Sequence, residues 1–233
     1  MNIYQFDYLP TAQLDGRRYA ELIEETFGEK PGYFVDVGAA DGWTQSNTRG
    51  LVFLGWSGLM IEPRPGAAEQ CRRVYQHNPR IQVITAGCSD RYEVLPLAVS
   101  GLESTFARTG PHWDVVSARG PERIVEVPCY ALSNLLFEQG VWQVDLLSID
   151  AEGYEEKVLA GLDFDVHGPR MLVIELFLGV NAQGRPPRHA DPGRSKRCAA
   201  TILRHGYELV YRSAFNDIYV RNPRNLSGTP EET

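Results

Sequence analysis

The stretch that decides the fold of this chain is Gly32-Tyr33-Phe34-Val35-Asp36-Val37-Gly38-Ala39-Ala40-Asp41-Gly42. An apolar strand ends at an aspartate and is followed by a turn of small residues, a second acid and a glycine. An unpaired carboxylate inside a buried strand is costly, so Asp36 needs a partner, and the small residues beside it leave room for one. A ligand that carries a positive charge and hydroxyl groups meets this requirement.

This turn differs from the glycine-rich loop that binds dinucleotides. The dinucleotide fingerprint, G-x-G-x-x-G, brings backbone N–H groups close to a pyrophosphate. Here the middle glycine is missing, and Asp41 would repel a pyrophosphate at a helix N-terminus. The pattern favours a cofactor without phosphate, such as S-adenosylmethionine (SAM), which has an ammonium, a sulfonium and a ribose diol. An NAD-dependent oxidoreductase is the disfavoured alternative.

Length, charge and cysteine content narrow the class of protein. The 233 residues, 43% hydrophobic and 23% charged, are typical of a soluble globular protein. A net charge of -7 argues against a general nucleic-acid binder. The N-terminus does not resemble a signal peptide, the apolar runs are too short for a membrane span, and the four cysteines form no CxxC pair. We therefore expect a cytoplasmic protein, and leave its oligomeric state open, with a homodimer as one option.

Strands and helices alternate along the chain, which predicts an α/β fold with a parallel sheet between helices. We expect an N-terminal extension and helix over residues 1–31, a main domain over 32–222 and a disordered tail over 223–233. Two stretches, 94–121 and 179–196, are predicted as long irregular loops with functional roles. The predicted parallel strands are 34–37, 59–62, 81–86, 144–149 and 171–176, and the predicted antiparallel pair is 207–212 with 218–221.

Four predicted strands end in an acid, and ligands of open parallel sheets bind at that edge. A carboxylate at the position of Glu62, before Pro63, accepts both hydrogen bonds of a ribose diol. Ser89 and Asp90 follow the third strand, where a carboxylate reads an adenine amino group. The four strand-end acids are Asp36, Glu62, Asp150 and Glu175. The full set of predicted cofactor ligands is Asp36, Gly38, Ala39, Ala40, Asp41, Gly42, Asn47, Glu62, Pro63, Ser89, Asp90 and Asp150.

A second motif, Ile149-Asp150-Ala151-Glu152-Gly153-Tyr154-Glu155, supplies the candidate catalytic acids. Its strand leaves the sheet beside the first strand, so Asp150 faces the reacting end of a cofactor in the crevice. Asp150 and Glu152 are candidates for a proton acceptor, for ligands of the cofactor ammonium, or for oxygen ligands of Mg²⁺ or Ca²⁺. Glu175 is a further candidate base or, with Asp150, a metal ligand, and His189 is the other candidate base.

These residues resemble the FkbM-type SAM-dependent methyltransferases. The resemblance implies a three-layer, Rossmann-like class I methyltransferase fold, with a seven-stranded sheet whose last strand is antiparallel. It also implies SAM bound by residues 38–42, by Glu62 and around Asp90, and O-methylation of a small acceptor: a sugar, a glycolipid or a polyketide-type natural product. A non-catalytic module with the same fold is the alternative. The matching blocks are 34–42, Ser46-Asn47-Thr48, 54–63, Val127-Pro128, 147–155 and Val173-Ile174-Glu175-Leu176.

Overall fold

The structure is a computed structural model that describes residues 16–101, 104–179 and 190–222. Residues 180–189, with His189, and the tail 223–233 lie outside the described residues. The helices are α1 (Gly16–Phe27), α2 (Arg49–Phe53), α3 (Pro65–Tyr75), α4 (Pro111–Arg119), α5 (Leu132–Glu138), α6 (Glu155–Ala160), α7 (Phe164–His167) and α8 (Pro192–Arg204). The strands are β1 (Tyr33–Val37), β2 (Ser57–Ile61), β3 (Ile81–Ile84), β4 (Gly87–Ser89), β5 (Glu93–Val99), β6 (Arg123–Ala131), β7 (Leu146–Ile149), β8 (Met171–Glu175), β9 (Tyr207–Arg212) and β10 (Asn216–Arg221).

Seven strands form one sheet in the order β3-β2-β1-β7-β8-β10-β9. The pairs from β3 to β8 are parallel, and the last strand, β10, is antiparallel to both of its neighbours. This confirms the predicted α/β class and the antiparallel last strand. The strand order reverses between β1 and β7, so a crevice opens there at the carboxyl ends of the strands.

Alternate residues of the central strands face two helical layers. Phe34 belongs to the apolar cluster that includes α1, α2 and α3, whereas Val35 belongs to the cluster that includes α5, α6 and α8. Strands covered on both faces are apolar throughout, as the fully buried β8 shows. Because α1 buries Tyr19 and Ile23 in the first cluster, the proposed boundary at residue 31 divides the sequence but not the hydrophobic core.

The stretch 94–121 is not an irregular loop. It contains most of β5 and the whole of α4, and β5 pairs with β6 in a second sheet of order β4-β6-β5. A proline such as Pro96 usually argues against a strand. Here it lies in β5, which is an edge strand, where a missing backbone N–H is tolerated. The predicted third strand ends at Ile84, because residues 87–89 join the second sheet instead.

The second predicted loop, 179–196, is also partly regular where the structure describes it. Helix α8 begins at Pro192. The Asp191 carboxylate caps it by accepting a hydrogen bond from the Arg194 backbone N–H, and proline is favoured at the first helical position because its backbone has no N–H to leave unpaired. In the part of the chain that the structure describes, none of the helices has the length and apolar character that a membrane crossing requires.

Gly38→Ala is expected to destabilise the protein more than the control Gly140→Ala. Both glycines have positive φ, +86° and +70°, so both alanines carry left-handed strain of about 1–2 kcal/mol. A Cβ at Gly38 would lie 1.8 Å from the Asp150 carbonyl oxygen, whereas a Cβ at Gly140 would meet nothing within 4 Å. In urea unfolding we expect the Gly38 variant to lose at least about 2 kcal/mol more. Equal losses would show that the β1–β7 approach does not need glycine.

Candidate functional site

A cleft of about 900 Å³, including its open mouth, lies at the carboxyl ends of β1, β2 and β7. This is the crevice expected from the reversal of strand order. Nine of the predicted site residues line it: Asp36, Gly38, Ala39, Ala40, Asn47, Glu62, Pro63, Asp150 and Glu152.

The glycine turn is attached to the end of β2. The backbone N–H groups of Gly38 and Ala39 both donate to the Ile61 carbonyl oxygen, at 2.9 and 3.2 Å. Ala40 has φ +53°, and its N–H donates to Glu62 Oε2 at 2.7 Å. The turn therefore fixes the Glu62 carboxylate, and it is held in a left-handed conformation that alanine rarely adopts.

Asp36 is buried below this turn, with 3% of its surface exposed. The Thr48 hydroxyl donates to its Oδ2 atom at 2.7 Å, and is thus one of the partners that a buried carboxylate requires. Burial raises the pKa of Asp36 to about 6, against the opposing hydrogen bonds of Thr48 and Ser148. The charge of Glu62 raises the pKa further, so these two acids together favour a cationic ligand.

Glu62 is buried and held by three backbone and side-chain donors. Its Oε1 atom accepts hydrogen bonds from the Arg64 backbone N–H at 2.9 Å and from Arg64 Nε at 2.7 Å, while Oε2 accepts from Ala40. Each carboxylate oxygen has two lone pairs, so Oε2 keeps acceptor capacity towards the cleft. Arg64, which the sequence did not single out, also lines the cleft and orients this carboxylate.

Asp150 and Glu175 form a carboxyl pair at the end of β7 and β8. Glu175 is buried at the end of β8, next to Asp150 at the end of β7, and the charge of Asp150 disfavours ionisation of Glu175. Burial raises the pKa of both; the charges of Glu152 and Glu155 raise that of Asp150 further, and the charge of Asp150 raises that of Glu175. Among the described residues, Asp150 Oδ1 is a buried oxygen with no hydrogen-bond partner.

The structure does not support the expected Mg²⁺ or Ca²⁺ site on this pair. Within residues 16–101, 104–179 and 190–222, no three His, Cys, Asp or Glu side chains are grouped as metal ligands. Ca²⁺ takes six to eight oxygen ligands, and Mg²⁺ is usually held by one or two carboxylates together with waters and substrate phosphates. Asp150 and Glu175 lie next to each other because the ends of β7 and β8 are adjacent, and the charge of Asp150 raises the pKa of Glu175.

Four predicted cofactor ligands lie outside the cleft lining. The Asp41 carboxylate accepts hydrogen bonds from Trp43 and Thr44; although burial opposes it, these bonds lower its pKa and close the local turn. Gly42 is required for packing, since a Cβ there would lie 2.6 Å from Cys71 Sγ. The other two are Ser89 and Asp90.

Asp90 pairs with Lys157 at 2.7 Å, an ion pair that lowers its pKa, and the Ser89 hydroxyl donates to Glu93 at 2.6 Å. Strand β4 turns away from the main sheet into the second one, so Ser89 and Asp90 do not line the cleft. Six residues that the sequence did not single out line the cleft instead: Ala86, Gly87, Cys88, Leu97, Phe106 and Tyr154. The second sheet brings Gly87, Cys88 and Leu97 here.

Backbone strain concentrates at the same edge of the sheet. The described non-glycine residues with positive φ all follow the ends of β1, β7 or β8: Ala40, Gln45, Glu152 and Phe177. Three of them, Ala40, Gln45 and Glu152, line the cleft. Such conformations cost about 1–3 kcal/mol each and are often concentrated at functional sites.

Comparison with known proteins identifies the family. The family model described as the methyltransferase FkbM domain matches residues 36–208. The chain belongs to the FkbM methyltransferase domain family. The matched segment runs from the strand-end acid of β1 into β9, so it includes the described cleft. Among curated proteins, no sequence relative matches this FkbM domain.

One solved structure shows the same fold, and two others have a lower similarity. An FkbM methyltransferase from Methylobacillus flagellatus KT has a TM-score of 0.53 and 16% identity, over 94% of this chain and 58% of its own. The present chain thus spans less than two thirds of that relative. Aeropyrum pernix fibrillarin, solved with natively bound S-adenosyl-L-methionine, has a TM-score of 0.47 and 14% identity over 82% and 67%. The mitomycin 7-O-methyltransferase MmcR has a TM-score of 0.43 and 12% identity, over 94% of this chain and 53% of its own.

Asp36→Asn is expected to change how stability depends on pH. Because folding raises the pKa of Asp36 to about 6, the folded state binds more protons than the unfolded state between about pH 4 and pH 6. The stability of the wild type therefore falls as pH rises through this window. The variant removes this ionisation. Between about pH 4 and pH 7, its free energy of unfolding in urea should therefore fall by roughly 2–3 kcal/mol less than that of the wild type.

Asp41→Asn is the matched control for that measurement. The lowered pKa of Asp41 means that its ionised form stabilises the fold above its unfolded pKa, and that this stability is lost on acidification. Below about pH 4, the free energy of unfolding of the wild type should therefore fall on acidification, and that of the control should fall less. Parallel pH profiles for wild type and Asp36→Asn would contradict the raised pKa.

Proposed function

We propose that this FkbM domain transfers a methyl group from SAM to a hydroxyl oxygen of a small acceptor. The observation that carries the proposal is the set of carboxylates at one cleft: the buried Asp36 and Glu62 from β1 and β2, and the half-buried Asp150 after β7. An excess of buried negative charge is unfavourable unless a cation or a proton compensates it. SAM is a cation with a ribose diol, and it carries no phosphate.

The residues present fit SAM in three respects. Glu62 offers a fixed carboxylate oxygen, the group that binds ribose hydroxyls in nucleotide-binding sheets. Cys88, Leu97 and Phe106 provide an apolar wall suited to an adenine ring. The buried Oδ1 atom of Asp150, which has no hydrogen-bond partner among the described residues, suits a positively charged ammonium or sulfonium, since a cation stabilises the ionised carboxylate that burial and the neighbouring acids disfavour.

Asp150 and Glu152, the two acids of the second motif, have different proposed roles because they contact different partners. SAM, when bound, supplies a methyl group already activated by its sulfonium. Asp150, paired with Glu175, holds the cationic end of the ligand in position. Glu152, whose carboxylate contacts a histidine rather than another acid, would take the proton of the acceptor hydroxyl as the hydroxyl oxygen bonds to the methyl carbon and the methyl–sulfur bond breaks, with its electron pair left on the sulfur.

The acceptor class rests on the charge of the chain and of the cleft. A net charge of -7 and an acid-rich cleft repel the phosphates of RNA, whereas a neutral polyol carries no such penalty. A carboxylate base is needed for an alcohol, whose proton must leave during transfer. We therefore propose hydroxyls of sugars, glycolipids or polyketide-type natural products. A SAM-binding module without catalysis is the alternative that turnover measurements test.

Glu62→Gln should weaken SAM binding by about 5- to 150-fold, the effect of losing a hydrogen bond to a charged group. The glutamine keeps the size of the side chain and one acceptor oxygen for the Ala40 N–H, while its amide nitrogen replaces the oxygen that accepts from Arg64. Asp90→Asn is the matched control: its carboxylate is held by Lys157 outside the cleft, and SAM affinity should not change. Calorimetric titration measures both. An equal loss in the two variants would restore Asp90 as a cofactor ligand.

Turnover with SAM labelled with ¹³C at the methyl carbon tests the reaction itself. The panel contains methyl glycosides, polyketide alcohols, amines, thiols and an RNA oligonucleotide, and the ¹³C shift of the product separates O-, N- and S-methylation. We expect O-methylation alone. Glu152→Gln should lower kcat about 100-fold with unchanged SAM affinity, whereas Asp150→Asn should weaken SAM binding. SAM binding without transfer to any acceptor would favour the non-catalytic module.

A further inference from the structure

A chain of buried polar groups runs from the cleft into the protein. The Glu152 carboxylate contacts His112 Nδ1 at 3.1 Å, and His112 Nε2 contacts Arg194 Nη2 at 3.3 Å. Arg194 Nε lies 3.3 Å from Glu155 Oε2, an ion pair without hydrogen-bond geometry. These residues come from four elements: the turn after β7, the first turn of α4, the first turn of α8 and the first residue of α6.

The chemistry of the three groups fixes the direction of the hydrogen bonds. A guanidinium only donates, so His112 Nε2 must accept from Arg194 with its lone pair. The proton of the neutral imidazole is then on Nδ1, which donates to the Glu152 carboxylate. His112 is 2% exposed, and neither ring nitrogen needs water in this arrangement. Arg194 thus selects the tautomer of His112, and His112 in turn orients Glu152.

The backbone of the Glu152 turn is shaped to fit this chain. Glu152 and Gly153 are consecutive residues with positive φ, +47° and +98°. A Cβ at Gly153 would lie 2.9 Å from Arg194 Nη1 and 3.0 Å from His112 Cδ2. Glu155 Oε1 accepts hydrogen bonds from the Ala151 and Gly153 N–H groups, which closes the turn. The glycine of the motif is therefore required for packing against the histidine and the arginine.

We propose that His112 and Arg194 are positioning residues that hold the Glu152 carboxylate in the cleft, ionised and oriented to receive the acceptor proton. The role rests on the proposed function, because it assumes that Glu152 is the proton acceptor. Helices α4 and α8 pack together against this turn, so a helix from the stretch predicted as irregular contributes to the site. The contact of His112 with Phe177, at 5.6 Å between ring centroids, supports the imidazole from the end of β8.

Nitrogen NMR of the full chain labelled with ¹⁵N-histidine tests the hydrogen-bond order without any acceptor. The His112 signals are identified by their loss in His112→Asn. We expect a neutral ring protonated on Nδ1 in the wild type and in Glu152→Gln, where the amide oxygen still accepts. Arg194→Met should let the proton redistribute between the two nitrogens. An imidazolium, or a ring protonated on Nε2, in the wild type would overturn the proposal.

Kinetics in the full chain test the consequence for methyl transfer. His112→Phe should lower kcat about 10- to 100-fold and leave SAM affinity unchanged. His112→Asn, whose amide donates from a position near Nδ1, should recover most of the loss. In combination with Glu152→Gln, His112→Phe should cost nothing more, because the two act through one carboxylate. Additive losses, or no rescue by asparagine, would reduce His112 to a packing residue.

His167→Phe is the matched control, since His167 is another buried histidine, on α7 and bonded to Ser133. It should keep the wild-type kcat. Failure of the wild type to bind SAM would overturn the proposed function while the tautomer measurement still decides the hydrogen-bond order. The two proposals therefore fail separately.

Discussion

The close approach of β1 and β7 at Gly38 is the constraint on which the rest of the site depends. The Asp150 N–H donates to the Val37 carbonyl oxygen at 2.9 Å, and the Asp150 carbonyl occupies the space where a side chain of residue 38 would lie. This contact places the strand-end acids of the two strands on either side of one crevice. The glycine turn then bends over the end of β2 and fixes Glu62 as a third acid.

Placing several acids close together is electrostatically unfavourable, and this raises the pKa values of the buried ones. The pKa values of Asp36, Asp150 and Glu175 are raised, because these carboxyl groups are buried near other acids. Glu152 differs, since its carboxylate contacts a histidine. The cleft therefore combines carboxyl groups whose ionisation is disfavoured with one carboxylate that has a histidine partner.

The second sheet and the polar chain behind Glu152 add what the main sheet lacks. Strands β4 and β5 bring Cys88 and Leu97 to one side of the cleft, and α4 brings His112 behind the other. Both come from the region between β3 and β7, where the sequence has little periodicity. This region adds an apolar wall to the α/β crevice and places a histidine against the Glu152 carboxylate.

The sequence by itself determined the parallel sheet, the family and the strand-end acids Asp36, Glu62, Asp150 and Glu175. It did so because an acid at the end of an apolar strand, followed by small residues, is a local pattern with few structural explanations. It assigned Asp90 to the cofactor, whereas the structure pairs Asp90 with Lys157 outside the cleft lining, and it gave no sign of His112 or Arg194. Those assignments depend on contacts between residues 40 to 82 positions apart, set by the second sheet and by α8. Only the tertiary structure decided them, because hydrogen bonds between distant segments leave no periodic pattern along the chain.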